Sequence, residues 1–82
     1  MQAEVKVEKG DQAEVMSALR RFHRLVESDK LRPLREKAGW SQADVARYLG
    51  VDAAQVSRWE RALSKPHGVT AVALLRLLDG AD

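Results

Sequence analysis

Between Gln12 and Ser28 the apolar residues Val15, Leu19, Phe22 and Val26 recur at helical spacing, and Met16 and Leu25 widen the stripe they form. The pattern predicts an amphipathic helix over residues 12–28, with Asp11 as N-cap and Glu14 completing the capping pair. The opposite face carries Arg20, Arg21, His23 and Arg24. Residues 1–11 read differently: Ala3, Val5 and Val7 share one parity and Glu4, Lys6 and Glu8 the other, ending at Gly10-Asp11. This is a strand pattern with no partner strand in the chain. The expectation is a short N-terminal arm, either disordered or pairing as a strand with a second copy.

Further along, the helical period returns. Lys30 to Ala38 predicts a helix with Leu31, Leu34 and Ala38 inward, Ser28 or Asp29 as cap and Gly39 as stop. Pro33 fits only in its first turn, where amide hydrogens lack intrahelical partners, so a break is expected between Val26 and Pro33. Ser41-Gln42-Ala43-Asp44 is a capping box that opens a helix with Val45, Ala46 and Leu49 on one side and Gly50 at its end. Asp52 is placed to cap a fourth helix from Ala53 to about Ala62, with Val56 and Trp59 inward. After a loop at Pro66-His67-Gly68, Thr70 caps a last helix with Ala73, Leu74, Leu77 and Leu78 apolar, closed by Gly80. The fold class is all-α: a compact five-helix bundle. Residues 1–11 form the arm, 12–28 the N-terminal helix and 29–82 a domain built around a helix-turn-helix.

A chain of 82 residues, 45% hydrophobic and 32% charged, supports one small folded domain. No apolar run approaches the ~20 residues of a membrane span, and no secretory leader is visible. Cysteine is absent, which excludes disulfides and thiolate metal sites. The charges are unevenly spread. Residues 1–14 hold four acidic and two basic side chains, whereas residues 15–65 hold eleven basic and six acidic ones. A basic surplus in mid-chain, with a pI near 9.3, is the electrostatic footprint of a polyanion binder.

The stretch Gln42–Arg61 meets the packing demands of a helix-turn-helix, whose two crossed helices need a small residue at the crossing, a glycine in the turn and apolar locks on the second helix. Ala46, Gly50, Val51, Val56 and Trp59 supply them in order. From Leu31 to Leu78 the chain resembles the lambda-repressor-like, or Cro-like, helix-turn-helix domain of phage repressors, bacterial regulators and several antitoxins. The segments that carry the likeness are Leu31–Gln42, Val45–Val51, Val56–Arg61, Pro66 and Ala73–Leu78. Two residues depart from that pattern: Ala62, where the family usually has glycine, and Pro33 in the first helix.

The resemblance implies that Ala53–Arg61 is a recognition helix lying in the DNA major groove. Arg58 then has the planar donor fork that fits guanine O6 and N7, and Gln55 can pair bidentately with adenine or reach a phosphate. Ala53 and Ala54 offer methyl groups suited to the thymine methyl, and Ser57 is small enough for close approach. Phosphate contacts are expected from Ser41 and Gln42 at a helix N-terminus, from Arg47, and from Arg61, Ser64 and Lys65 after the recognition helix. Glu60, acidic where DNA comes near, is expected to pair with Arg35 or Arg47. Trp59 belongs to the core, and Trp40 is half buried.

The histidines His23 and His67 stand far apart with no carboxylate at ligand spacing, so no metal site is expected. The serines lack a base, and there is no phosphate-binding loop, so neither enzymatic activity nor a cofactor is expected. The expected protein is a cytoplasmic, sequence-specific regulator of double-stranded DNA. It is read as a phage or bacterial repressor acting as a homodimer on a palindromic operator. The rival is an antitoxin whose residues 1–28 bind a protein partner. The stripe of the N-terminal helix must be buried, and docking on its own domain is favoured over meeting a second copy. Arg20, Arg21 and Arg24 are left outward as candidate DNA backbone contacts.

Overall fold

The computed structural model describes the backbone of residues 2–79 and the side chains of residues 12–79. It contains α1 (Gln2–Glu27), α2 (Leu31–Lys37), α3 (Gln42–Leu49), α4 (Ala53–Glu60) and α5 (Gly68–Asp79), with no strand among the described residues. The fold is therefore all-α.

At the N-terminus the structure differs from the arm expected over residues 1–11. From Gln2 onward these residues continue α1, so Asp11 lies within the helix and not at its start; Met1 is outside the described residues. Three apolar residues of one parity are a weak strand signal. Extending an existing helix adds a hydrogen bond for each residue fixed, whereas a strand needs a partner. Gln2, Ala3, Glu4, Lys6, Glu8 and Lys9 are all good helix formers, and they offset the cost of Gly10.

Three helix ends close in one way. After α1, Asp29 N–H donates to the Val26 carbonyl at 3.0 Å and Lys30 N–H to that of Leu25 at 2.7 Å. The same pair of hydrogen bonds recurs after α2, donated by Gly39 and Trp40, and after α4, donated by Ala62 and Leu63. This closure requires a left-handed residue, which is Gly39 at φ 85°, Asp29 at 57° and Ala62 at 62°. Ala62 thus takes the conformation that glycine takes without strain. Pro33 lies in the first turn of α2, as its missing amide demands. Neither Ser28 nor Asp29 caps that helix; Lys30 occupies the N-cap with no side-chain bond. Ser41 and Asp44 form both bonds of the capping box, at 2.9 and 3.0 Å. Asp52 holds N-cap backbone geometry without a side-chain bond.

The core joins all five helices. Phe22 of α1, Leu31 of α2, Val45 and Ala46 of α3, Val56 and Trp59 of α4, and Leu74 and Leu78 of α5 form one buried cluster. Burying each of the larger side chains contributes about 1.5–3 kcal/mol. A second cluster of Ala18, Ala71 and Leu75 seals α1 against α5. The N-terminal helix therefore docks on its own domain. Its buried line runs through Ala18 and Phe22, with Val15, Leu19, Leu25 and Val26 half-buried and Met16 turned outward.

Close approach of these two helices needs Gly68, because a Cβ there would overlap Val15 Cγ1. Helix α5 begins at Gly68, two residues before the expected cap Thr70, with Ala71 N–H bonded to the His67 carbonyl at 2.8 Å. Its buried face is Ala71, Leu74, Leu75 and Leu78, and Ala73 and Leu77 are half-buried. The expected stop at Gly80 lies outside the described residues. Two ion pairs flank the seam: Arg21 with Asp79, and Arg76 with Glu14.

Candidate nucleic-acid interface

Helices α3 and α4 pack on each other across Gly50, whose φ of 74° lets the chain reverse within a short turn. Val51 N–H closes the turn on the Ala46 carbonyl at 2.9 Å. Val45 at 0% and Trp59 and Val56 at 1% exposure lock the pair to the core. One side of α4 is fixed in this way. Its other side presents Ala53, Ala54 and Arg58 to solvent, with Gln55 and Ser57 half-exposed beside them. These five are the residues expected to meet bases; Ala53, Ala54 and Arg58 lie on the solvent side of α4, with Ser57 and Gln55 at its two edges beside the buried residues. Arg58 Nη1 donates to Gln55 Oε1 at 3.5 Å, so the two longest side chains of the face lie together.

The flanking residues divide. Ser41 is exposed at the start of α3. Arg61 and Lys65 are exposed after α4, and no carboxylate pairs with either among the described residues. Arg47 is exposed and reaches Asp44 at 3.7 Å, where the backbone and hydroxyl of Ser41, and then Arg47, hold the Asp44 carboxyl below its usual range. Ser64 differs from them: its Oγ is buried, with no hydrogen-bond partner among the described residues, so the hydroxyl is not presented to a phosphate in this conformation.

Glu60 is explained by a network beneath the face. Arg35 Nε donates to its Oε2 at 2.5 Å and Nη2 to its Oε1 at 3.2 Å, and Gln42 Nε2 also donates to Oε1 at 3.0 Å. Arg35 Nη1 donates to the Trp40 carbonyl at 2.8 Å. The partner of Glu60 is thus Arg35 and not Arg47. The acidic charge is turned inward, away from the outer face of α4. Gln42 is half-buried, and one of its amide hydrogens is engaged by Glu60; a primary amide carries a second. Arg35, expected only as one of two candidate partners for Glu60, is itself buried and ties α2, α3 and α4 together, which no local pattern in the chain signals.

A helix-turn-helix family model matches residues 31–80. The chain belongs to this family, in its lambda-repressor-like and Cro-like branch, a family of DNA-binding regulators and not of enzymes. No curated protein and no solved structure matched the chain. No described helix is long and apolar enough to cross a membrane. Helix α1 lies wholly outside the matched segment.

Proposed function

We propose that the protein is a sequence-specific regulator of double-stranded DNA, a repressor of the small phage or bacterial kind, working in the cytoplasm where that DNA resides. The observation that carries the reading is the two-sidedness of α4. Val56 and Trp59 fix the helix rigidly, and the opposite face consists of side chains that suit base edges. Arg58 has the fork for guanine, Gln55 the amide for adenine, and Ala53 and Ala54 the methyls for thymine, while Ser57 permits close approach. Ser41, Gln42, Arg47, Arg61 and Lys65 contact phosphates and set the register without specifying sequence.

One module of this size buries only about 600–1,000 Å² on DNA, which favours two copies on a palindromic site. The antitoxin reading gains nothing comparable. It needs an apolar face on residues 1–28, and from Ala18 to Val26 that face is used in the chain's own core.

A footprint over the DNA around the protein's own coding region tests the proposal. Two protected half-sites about 34–36 Å apart, with reduced transcription from the overlapped promoter, are expected. Protection with increased transcription would reassign the protein as an activator, and absence of protection on any duplex would overturn the reading.

A further inference from the structure

Helix α1 carries three arginines within five residues, and the structure gives them different work. Arg21 donates both terminal nitrogens to Asp79, each at 2.6 Å, and is part of the α1–α5 seam. Arg20 and Arg24 are exposed and have no carboxylate partner among the described residues. They sit one helical turn apart, a spacing at which like charges destabilise a helix. His23 lies between them and is also exposed.

Position matters as much as charge. The connection from α4 to α5 lies against the inner side of α1, where Phe22, Val26 and, at its edge, His23 line one groove with Ala62, Leu63, Ser64 and Lys65. Lys65 and Arg61 are the cations that flank the recognition helix. Lys65 thus shares a groove with His23, whose chain neighbour Arg24 and, one turn back, Arg20 stand on the exposed side of α1.

We infer that the outer face of α1, through Arg20 and Arg24, is a second phosphate-binding surface that extends the protein's DNA footprint beyond the half-site read by α4. The inference rests on the DNA-contacting face proposed above. It assigns a contact to a helix that the family model does not include. The ligand is the phosphodiester backbone flanking the half-site. Lengthening the flanking duplex should strengthen binding without changing which bases are preferred.

The test uses a duplex selected by the wild-type chain from a random pool, and the same duplex trimmed to the protected core. Arg20→Gln with Arg24→Gln is compared with wild type on both over a range of salt. Both sites are exposed, and circular dichroism verifies the fold. On the long duplex the variant should lower the slope of log K against log salt by about two units, since each phosphate contact contributes about 0.9. On the trimmed duplex the two proteins should coincide, and Arg20→Lys with Arg24→Lys should restore the slope on the long one. Coincident slopes on the long duplex would overturn the inference while leaving the α4 reading intact, as would an equal loss on both duplexes. Failure of wild type to bind any duplex would overturn the α4 reading and this inference together.

Discussion

Arg35 of α2 and Glu60 of α4, twenty-five positions apart in the chain, meet through two hydrogen bonds with side chains only 9% and 5% exposed. The pair bridges α2, the helix that precedes the helix-turn-helix, and the last turn of α4. The hydrogen bonds that Arg35 donates to Glu60, together with the carboxylate's charge, hold the guanidinium above its ordinary pKa, against the opposing effect of burial. An ion pair so enclosed adds little net stability over a well-packed apolar pair. Breaking one side is costly, because the other charge is left without a partner.

Arg35→Met is therefore expected to destabilise the domain by about 3–5 kcal/mol, and Arg35→Met with Glu60→Leu to recover much of that loss. Urea unfolding of both variants and of wild type measures this. A double variant no more stable than the single one would mean that the pair is not coupled.

The seam between α1 and α5 gives a second expectation. Gly68→Ala introduces a Cβ where Val15 already sits, and valine has little rotamer freedom with which to yield. The substitution should cost about 1–3 kcal/mol. Adding Val15→Ala to Gly68→Ala should regain stability relative to Gly68→Ala alone, although Val15→Ala by itself is destabilising. Additive losses in thermal melts would contradict the docking of α1 at this point.

Ala62 holds a left-handed backbone at the end of α4, where the equivalent position after α2 is Gly39 and that after α1 is Asp29. Relief of about 1 kcal/mol is expected from Ala62→Gly, reduced in part by the added freedom of the unfolded chain. For a domain of this size each 1 kcal/mol raises Tm by about 4–8 °C. Asp29→Gly should gain less, because aspartate tolerates the left-handed region better. A fall in Tm for Ala62→Gly would contradict the geometry of this turn.

Acid titration reports on the seam independently. The two hydrogen bonds from Arg21, aided by its charge, hold the Asp79 carboxyl below its usual value. Since its folded pKa lies below the unfolded value of about 3.9, the pair's contribution is fully present above that value and is lost as pH falls through the folded one. Both side chains are substantially exposed, so the contribution is at most about 1 kcal/mol. The stability margin of wild type over Asp79→Asn should be constant near neutrality and close as pH drops below about 4. Asp44 titrates in both proteins and cancels. A margin that grows toward acid would contradict the pairing.

Much of this was legible in the chain because local signals agreed with tertiary demands. Ser41 and Asp44 announced the start of α3, Gly50 its end, and the spacing of Ala46, Val56 and Trp59 the packing of α4 on α3. The misreadings lay where local signals were short or the deciding partner was remote. Val5 and Val7 fit a strand or a helix equally over three apolar positions, and only continuity with residues 12–27 decided for helix. Thr70 was a good cap by type, but the chain turns helical earlier, at Gly68, where α1 requires a residue without a side chain. Ser64 looked available to a phosphate because burial by the rest of the domain cannot be read from its neighbours. Glu60 was recognisable as an anomaly from its place on α4, yet which arginine answered it depended on how α2 crosses behind the motif.

Arg58 is proposed as the principal base-reading donor on the exposed face of α4. The direct measurement is the affinity of wild type and Arg58→Ala for every single-base variant of the selected duplex at one salt concentration. Wild type should lose about 1–3 kcal/mol when the guanine opposite Arg58 is replaced, and Arg58→Ala should bind all four bases at that one position alike while keeping its preferences elsewhere. Uniform weakening of Arg58→Ala across all variants, with every preference retained, would contradict the claim and move Arg58 to the phosphate backbone.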